Sequence, residues 1–465
     1  MSNERPEHPG LVRALGAWDG VLLTVGSILG SAIFLTTSDM ARSVPHAGLI
    51  LLLWIGGGLV TLTGATAYAE LGAMFPEAGG QYVFLREAYG PLAGFLFGWT
   101  SFFVIASGGI AALAAGFGEY LGAFFPFFST GHVLGQLQVG TWKVTATGGQ
   151  LAGALAIAAL TGVNYVGVRE GGGIQSALTV LKVGLVLAFC GLGLLAPARA
   201  AWSPLSPLPA GPLLPALGVG MIAVFWAYDG WYQLTFSAGE LRRPERNLPV
   251  GLIAGTAAVT LLYALVNLVY ARGLSIPEMA RSGRIGEAAA AALLGPAGGR
   301  LVSVAGLVSI FGALSAAILA CSRIYLPMAR DGLFFRGLAT VHPRFRTPGP
   351  SLVAQGAWST VLVFSGSYEQ LYTYVVFALL LAHAATGGAV FVLRRKRPDA
   401  PRPHRAAGYP LVPAVFVVFS LGLALNTLFE RPGHSALGLG LAALGIPAFA
   451  AWRRRRGGPA RQDAR

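Results

Sequence analysis

The chain has 465 residues, of which 54% are hydrophobic and only 11% are charged. A soluble domain usually carries about 25% charged residues, so this composition excludes a soluble globular protein and indicates a polytopic membrane protein. The formal net charge is +14 at pH 7. The basic residues lie in short links and near the C-terminus, as at 394–397 and 453–456. This placement argues against nucleic-acid binding and favours retention of these links in the cytoplasm.

Twelve apolar runs of roughly 20 residues, the length that crosses a bilayer, follow one another along the chain. We therefore predict an all-α integral membrane protein with 12 transmembrane helices, of which the ninth is the shortest. The runs lie near 17–40, 47–75, 91–121, 148–166, 173–196, 213–238, 248–271, 298–328, 350–364, 368–393, 409–428 and 434–452.

The distribution of lysine and arginine predicts the orientation. If both termini are cytoplasmic, 23 of the 33 Lys and Arg residues lie in inside segments and eight lie in outside links. Positive residues are retained on the cytoplasmic side. We therefore expect a multi-pass protein of the cell (inner or plasma) membrane with cytoplasmic N- and C-termini.

The sequence carries no recognisable cofactor or metal motif. It contains no G-x-x-x-x-G-K-[ST], H-E-x-x-H or C-x-x-C pattern. Its two cysteines, Cys190 and Cys321, both lie inside apolar runs, where a packing role is the default. We therefore expect no cofactor, no metal site and no disulfide.

Small or polar residues interrupt two of the runs near their midpoints. The first run contains GSILGSAIF at 26–34, and the sixth contains WAYDGW at 226–231. Each is the first span of a five-span block, 17–196 and 213–393. Matched interruptions in two halves of opposite topology indicate discontinuous helices around a transporter's binding site. Helix packing through small residues is the alternative for the first stretch.

An unwound segment has free backbone N–H and C=O groups, which must face a cavity or a ligand. The outer half of span 1 begins near Gly30, so its N–H groups suit a carboxylate. The carbonyls that end the inner half of span 1 and the outer half of span 6 suit an ammonium group. Together these two poles predict a site for a zwitterionic α-amino acid.

Six stretches resemble the amino acid–polyamine–organocation superfamily, nearest to its L-type amino acid transporter branch. They are GSILGSAIF, AYAELGAMFPEAGGQYVFLREAYG (67–90), FWAYDGW, RRPERNLP (242–249), SRIYLPMARDGLFF (322–335) and RPHRAAGYPLVPAVF (402–416). The resemblance runs from residue 13 to 452. It implies the LeuT-type fold, with inverted repeats of five spans at 17–196 and 213–393, two further spans at 409–452, and spans 1 and 6 broken.

The resemblance also implies which residues bind the substrate. The α-carboxylate and α-amino groups would be surrounded by Gly26, Ser27, Gly30, Ser31 and Ala32, and carbonyls would come from Phe225, Trp226 and Ala227. Ala32 replaces the last glycine of the usual Gly-Ser-Gly form, which adds a methyl group where the backbone approaches the substrate. Trp226 corresponds to a gating aromatic of this branch, and packing in the core is its alternative role.

Asp229 is a carboxylate at bilayer depth, and three roles fit it. It could cap the inner half-helix of span 6, contact a cationic or polar substrate side chain, or carry a coupling proton. The WAYDG variant resembles exchangers of dibasic amino acids and cystine, in which this Asp faces the substrate side chain.

Lys182 lies deep in span 5, too far from either interface for its ammonium to reach water easily. The resemblance places it where sodium-coupled relatives bind a cation. Its ammonium is therefore expected to substitute for the ion and to make transport sodium-independent. Pairing with a backbone carbonyl for structure alone is the alternative.

We therefore expect a secondary active transporter of L-amino acids that works by alternating access, through sodium-independent exchange. A proton-coupled amino acid permease and a polyamine or amine exchanger are the alternatives. An enzyme is not expected because no catalytic pair is visible, and a channel would need repeated polar rings. Animal members of the branch hold a single-span glycoprotein through a cysteine between spans 3 and 4, which this chain lacks. The expected partners are therefore the amino acid substrate and the lipid bilayer, with no disulfide-linked accessory subunit.

Overall fold

The computed structural model describes residues 13–139, 142–166, 171–200, 208–209, 212–430 and 432–456. Apart from one hairpin, the regular elements in these ranges are helical. The α-helices are α1 Ala17–Ile28, α2 Ala32–Leu35, α3 Thr37–Ser43, α4 Ala47–Met74, α5 Gln81–Tyr89, α6 Pro91–Thr100, α7 Ala106–Leu121, α8 Gly148–Val166, α9 Gly171–Leu195, α10 Leu213–Tyr228, α11 Pro244–Gly273, α12 Ile276–Arg281, α13 Ile285–Arg330, α14 Gly349–Val363, α15 Tyr368–Lys396, α16 Leu411–Glu430 and α17 Pro432–Arg456.

The remaining elements are short. A π-helix at Ser101–Ile105 joins α6 to α7, and 3₁₀-helices occupy Pro126–Phe128, Gln233–Glu240 and Arg336–Ala339. The strands β1 Val133–Val139 and β2 Trp142–Thr147 pair antiparallel. Helix α13 is two helices joined at Gly295, whose φ of +80° breaks the helical backbone before a proline.

Ten helical stretches in the described ranges are long and apolar enough to cross a membrane. They are Ala17–Leu35, Ala47–Met74, Pro91–Leu121, Gly148–Val166, Ser176–Leu195, Leu213–Glu240, Pro244–Gly273, Ile285–Arg330, Tyr368–Lys396 and Leu411–Glu430. The expectation of a helical membrane protein is confirmed at this level. The predicted spans 350–364 and 434–452 coincide with the helices α14 and α17, which are not among these ten; α14 has only 15 residues.

The regular backbone of the first membrane stretch stops between α1 and α2. Helix α1 ends at Ile28, and Leu29 leaves the helical region with a ψ of 79°. After Gly30 and Ser31 the helix resumes at Ala32. Two consecutive residues explain this break, since Gly30 has no side chain and Ser31 has a short polar one. Glycine lowers helix stability by roughly 1 kcal/mol relative to alanine.

A second interruption follows α10. Asp229, the residue after its end, is extended with a ψ of 146°, and Gly230 has a φ of +104°. Glycine alone adopts such a backbone at little cost. The chain then continues as the 3₁₀-helix Gln233–Glu240 rather than as an α-helix.

Both ends of the described chain lie on one face of the bundle. The Leu15 N–H donates to the Glu240 carbonyl at 3.0 Å, and the Trp452 ring stacks on Phe334 with the ring centroids 6.2 Å apart. We call this the terminal face. The β-hairpin follows α7 at the opposite end, which we call the hairpin face; it was not predicted, although its residues lie inside the expected link between spans 3 and 4.

Candidate functional site

The two interruptions meet in the centre of the bundle. A Cβ added at Gly230 would lie 2.7 Å from the carbonyl oxygen of Ser27. The backbone turn after α10 therefore packs directly on the end of α1. Positive φ and this close approach both require glycine at 230. Ser27 was among the predicted site residues and Gly230 was not, although an Asp-Gly pair inside an apolar run is a visible turn signal.

Tyr263 of α11 links the two interruptions. Its hydroxyl lies 2.9 Å from the carbonyl oxygen of Ile28 and 3.0 Å from that of Ala227. The side chain is fully buried. A hydroxyl has one hydrogen to donate, so it can serve only one of these carbonyls at a time. No feature of the sequence identified Tyr263, because both of its partners lie more than 30 residues earlier in the chain.

The N–H groups at the start of α2 are unpaired. The Gly30 N–H donates to the Ile28 carbonyl at 2.8 Å, whereas the backbone hydrogen bonds of the described residues include none donated by the Ser31 or Ala32 N–H groups. Both residues are buried. Buried backbone N–H groups almost always have a partner, so two neighbouring ones without a protein acceptor indicate a position for a ligand or water oxygen.

Lys182 of α9 reaches the end of α1. Its Nζ donates to the carbonyl oxygen of Gly26 at 2.5 Å and to that of Leu29 at 2.9 Å. The Ser309 hydroxyl from α13 donates to the same Leu29 carbonyl at 2.9 Å. The carbonyls freed by the interruption are therefore satisfied by an ammonium and a hydroxyl from two other helices. Ser309 was not among the predicted site residues.

Lys182 is 1% exposed, and none of the ion pairs in the described part of the chain includes it. Its ammonium therefore occupies a buried position formed by backbone carbonyl oxygens. Carbonyls freed where a helix is interrupted inside a membrane protein can hold a cation. The position can hold one positive charge, and the side chain supplies it.

An aromatic group covers the unwound segment on the side of the hairpin face. The Trp226 Nε1 donates to the Tyr368 hydroxyl at 2.8 Å, and that hydroxyl lies 3.1 Å from the Ser31 Oγ. The Trp226 ring also stacks on Tyr372, with centroids 5.9 Å apart and planes 14° from parallel. Trp226 is 4% exposed. Both tyrosines come from α15 and were not predicted.

A cavity of about 290 Å³ lies beyond this aromatic group, and Tyr372 forms part of its wall. The Tyr372 hydroxyl donates to Asp39 at 2.8 Å, and Asp39 pairs with Arg42 at 2.6 Å. The cavity is lined by Asp39, Arg42, Ser43, Val219, Ile222, Ala223, Glu369, Tyr372 and Thr373. Trp226 therefore lies between this cavity and the unwound segment.

Asp229 lies on the other side of Trp226, towards the terminal face. Its carboxylate lies next to Tyr232 and the Gly230 backbone, and Oδ1 has no hydrogen-bond partner among the described residues. The 3₁₀-helix that follows has Tyr232 at its N-cap position and no capping side chain. Asp229 does not occupy the N-cap position of this helix, because Gly230 and Trp231 lie between it and Tyr232.

A buried polar group lies next to Asp229. The Tyr68 hydroxyl is 2.7 Å from the His383 Nδ1 and accepts a hydrogen bond from Gln81 at 2.7 Å. The Trp231 ring stacks on His383 with centroids 5.4 Å apart. These side chains fill the space between the interruption and the terminal face, so they close the path in that direction.

Ion pairs close the terminal face itself. Arg323 of α13 pairs with Glu240 at the end of the 3₁₀-helix, and both are largely buried. Glu70 of α4 forms a bidentate pair with Arg394 at 2.9 and 2.7 Å. Leu15 is also tied to Glu240 through its backbone. The entry to α1 and the inner half of the sixth membrane stretch are thereby held together.

Most of the predicted site residues lie where the two interruptions meet, but not all of their side chains do. The backbones of Gly26, Ser27, Gly30, Ser31, Ala32 and Ala227, with Trp226, Asp229 and Lys182, all lie around the two interruptions. The Phe225 side chain instead stacks on Phe419 of α16, with centroids 5.7 Å apart. Phe225 can therefore contribute only its backbone carbonyl, which is the group predicted for it.

Sequence comparisons find one matching family and several similar proteins, each over most of the chain. The profile of the family described as "Amino acid permease" matches residues 15–446. The serine/threonine exchanger SteT of Bacillus subtilis is 28% identical over 453 residues, which cover 97% of this chain and 99% of that protein. The human b(0,+)-type amino acid transporter 1 is 30% identical over 434 residues, covering 93% and 86% of the two chains. The human large neutral amino acids transporter small subunit 2 is 29% identical over 447 residues, covering 95% and 79%.

Proposed function

This chain belongs to the amino acid permease family, and from that premise we propose that it is a secondary active transporter of L-amino acids that works by alternating access. The observation that carries the proposal is the pair of buried, unpaired N–H groups at Ser31 and Ala32. They suit an α-carboxylate. The Ala227 carbonyl, which shares one tyrosine hydroxyl with Ile28, suits the α-ammonium. A zwitterion fits these two poles, and no catalytic activity is expected of this family member.

The bound amino acid would be enclosed by Trp226. We assign this ring the role of gate because it lies between the unwound segment and the 290 Å³ cavity and because the Tyr368 hydroxyl links it to Ser31. Opening towards the hairpin face then requires the ring to leave its stack on Tyr372. Opening towards the terminal face requires the pair Arg323–Glu240 to separate.

We assign the coupling role to Lys182 and the transport mode to sodium-independent exchange. A buried ammonium held by the carbonyls of Gly26 and Leu29 leaves no need for a metal cation at the same oxygens. The names of two relatives, a serine/threonine exchanger and a b(0,+)-type amino acid transporter, are consistent with amino acid exchange. A proton-coupled permease is the second candidate, because a lysine can release its proton where a sodium ion cannot.

The remaining architecture is part of the same proposal. The interruptions at 29–31 and 229–232 would be breaks in spans 1 and 6 of a LeuT-type arrangement, with repeats at 17–196 and 213–393 and two more spans at 409–452. Helices α14 and α17 would complete 12 spans. With the termini on one face, the bias of basic residues supports a cytoplasmic position for that face, with the protein in the inner or plasma membrane.

The substrate class depends on Asp229. Its partly unpaired carboxylate favours a substrate with a cationic or hydroxyl-bearing side chain, which could donate to Oδ1. A polyamine exchanger is the alternative, since a polyamine needs the carboxylate but not the N–H groups at Ser31 and Ala32. Whether transport requires an α-carboxylate on the substrate therefore distinguishes an amino acid transporter from a polyamine exchanger.

Uptake into proteoliposomes tests the proposal. Purified protein is loaded with one internal amino acid or left empty, with and without sodium, and exposed to labelled serine, leucine, lysine and putrescine. We expect uptake that requires an internal amino acid and ignores sodium. Uptake into empty vesicles driven by a proton gradient would support the permease instead, and putrescine transport without any amino acid transport would contradict the carboxylate site.

Asp229→Asn in the same assay separates the remaining roles of this residue. The variant keeps the shape and one acceptor oxygen but removes the charge. Loss of lysine uptake with retention of leucine uptake supports contact with the substrate side chain. Loss of all uptake together with loss of its pH dependence supports the coupling-proton role.

We propose that the chain acts without a disulfide-linked subunit. One relative is named a small subunit, so an associated chain is possible for that protein. Here both cysteines, Cys190 and Cys321, are buried. Electrophoresis of membranes without reductant tests this proposal, and a band that shifts on reduction would contradict it.

A further inference from the structure

Two residues other than glycine adopt a left-handed backbone in the described part of the chain, and both are arginines. Arg243 has a φ of +47° and Arg346 a φ of +58°. For an L-residue this conformation costs roughly 1–2 kcal/mol, and glycine, asparagine or aspartate usually occupy it. Both arginines lie in links on the terminal face, and both are exposed.

The surrounding backbone explains the left-handed bend at position 243 but not why this position is occupied by an arginine. The Arg243 carbonyl accepts from the N–H groups of Arg246 and Asn247 at 3.0 Å each, and the Asn247 side chain donates to the Arg242 carbonyl. These bonds fix the link at the start of α11. Glycine or asparagine would adopt the same backbone at lower cost, so the arginine side chain itself must contribute something.

Arg243 belongs to a group of unneutralised arginines. We call Arg13, Arg242, Arg243 and Arg246 the bridge arginines, because they flank the backbone bridge between Leu15 and Leu241. All four are exposed, and none forms an ion pair with a carboxylate of the described residues.

The nearby acidic residues do not neutralise this group. Glu240 is paired with Arg323, and the Asp19 carboxylate accepts the Gly16 N–H at 2.8 Å. Glu245, in the first turn of α11, is exposed and carries one negative charge. Four positive charges and one nearby unpaired negative charge leave a basic surface that requires an anion from outside the described chain.

The position of this surface along the membrane normal identifies the kind of anion. The membrane stretches Ala17–Leu35 and Pro244–Gly273 begin beside the bridge arginines. Trp18, in the first turn of α1, is 69% exposed. Exposed tryptophan at the end of a span lies at the level of the lipid headgroups. The bridge arginines therefore lie at the depth of the lipid phosphates.

We propose that the bridge arginines bind the phosphate of an anionic phospholipid headgroup. One phosphate held between Arg13 before α1 and Arg243 before α11 would connect the two segments that the Leu15–Leu241 bridge joins. Such a lipid stabilises the closed arrangement of the terminal face. This site does not depend on the identity of the transported substrate.

Native mass spectrometry of the full-length protein tests the site directly. The protein in detergent is titrated with phosphatidylglycerol or phosphatidylcholine, and the dissociation constant of the first bound lipid is measured. We expect tighter binding of phosphatidylglycerol. Arg243→Asn should weaken it about fivefold, since one arginine near an anionic lipid contributes about 1 kcal/mol. Arg243→Lys, which keeps the charge, should retain most of the affinity.

Asparagine tolerates the left-handed conformation, so the Arg243→Asn variant should fold and unfold thermally at or above the wild-type temperature. Arg346→Asn is the matched control, because it replaces the other left-handed arginine on a different link, and it should leave the first phosphatidylglycerol site unchanged. Unchanged phosphatidylglycerol affinity in a folded Arg13→Asn/Arg243→Asn variant would overturn the proposal. Displacement of the lipid by inorganic phosphate at millimolar concentration would also overturn it, since the ligand would then be a free phosphate.

Discussion

In the proposed mechanism the side chain of Lys182 takes the place of a bound ion. Its ammonium contacts two carbonyl oxygens that the interruption of α1 leaves without helical partners. A metal ion at these oxygens would bring its own charge and leave again, whereas the lysine remains attached to α9. We therefore expect only the substrate, or the proton of Lys182, to exchange with solvent.

We predict that Lys182→Met reduces amino acid exchange at least 100-fold. The change leaves the Gly26 and Leu29 carbonyls without the ammonium, and each unsatisfied buried group costs about 1–3 kcal/mol. The measurement is initial exchange rate in proteoliposomes at equal protein orientation. Ser309→Ala is the comparison, since it removes one hydroxyl from Leu29 but leaves the ammonium in place; we expect a loss of about tenfold or less. A Met variant with wild-type rates would show that Lys182 has no coupling role.

Residues such as Tyr263, Ser309 and Tyr368 could not be predicted from the sequence. Each contacts an interruption from a helix that is distant along the chain, and hydroxyl residues are common on membrane helices, so no local pattern distinguishes them. Gly26, Ser31 and Trp226 were named because the matched interruptions and the family resemblance pointed to them, and Lys182 was named because a lysine is rare inside an apolar run. The position of Asp229 relative to the next helix could not be predicted, because the sequence does not show that a turn and a 3₁₀-helix follow it.

At the level of elements, the interruption after α10 depends on one glycine. We predict that Gly230→Ala abolishes transport and lowers thermal stability. The added Cβ would lie 2.7 Å from the Ser27 carbonyl oxygen on a backbone with a φ of +104°. Gly56→Ala is the control, because nothing lies within 4 Å of a Cβ there and the residue is in the middle of α4. The two variants should differ both in unfolding temperature, measured by fluorescence-detected chromatography, and in exchange rate. Equal unfolding temperatures and exchange rates would contradict the close contact between the interruptions.

A second element-level prediction concerns α11, which braces both interruptions. Tyr263→Phe removes the hydroxyl next to the Ile28 and Ala227 carbonyls and should lower transport at least tenfold, with a stability loss of about 1–3 kcal/mol. Tyr228→Phe is the matched control. Its hydroxyl belongs to the same aromatic cluster but donates to the Trp54 carbonyl, outside the interruptions. We expect both variants to lose stability and only Tyr263→Phe to lose transport.

Helices were the easiest elements to predict, and the hairpin was the hardest. The apolar runs were long enough to indicate membrane helices, and ten of them meet that description in the structure. The strands β1 and β2 were missed because a short polar link is expected between spans. The stretch from Val133 to Thr147 does alternate polar and apolar residues around a Gly-Thr pair, which is a hairpin signal that a search for 20-residue runs passes over.

At the level of the whole molecule, the structure is closed towards the terminal face and has a cavity towards the hairpin face. The closure consists of the Arg323–Glu240 pair and the backbone of Leu15. Removing one partner of a buried pair leaves an uncompensated charge and costs about 3–5 kcal/mol. Variants at this pair should therefore shift the molecule towards an opening on the terminal face.

Cys321 provides a native reporter of this shift. It lies two residues from Arg323 and is 3% exposed. We predict that Glu240→Gln increases the rate of maleimide labelling of Cys321 several-fold, measured by mass spectrometry on a Cys190→Ser background. Glu245→Gln, an exposed carboxylate on the next helix, is the control and should label at the parental rate. If Glu240→Gln labels no faster than the control, the ion pair does not close this path.

The single hydroxyl hydrogen of Tyr263 has a further consequence for how the two interruptions communicate. Two carbonyls compete for one donor, so in the empty site one of them is always the less satisfied. In the proposed binding mode, an ammonium at Ala227 would take over that carbonyl and free the hydroxyl for Ile28. Occupancy on one side would then tighten the backbone on the other without any helix having to move. The two halves would be coupled through one hydroxyl hydrogen, and the first signal of binding would be a change of hydrogen-bond acceptor.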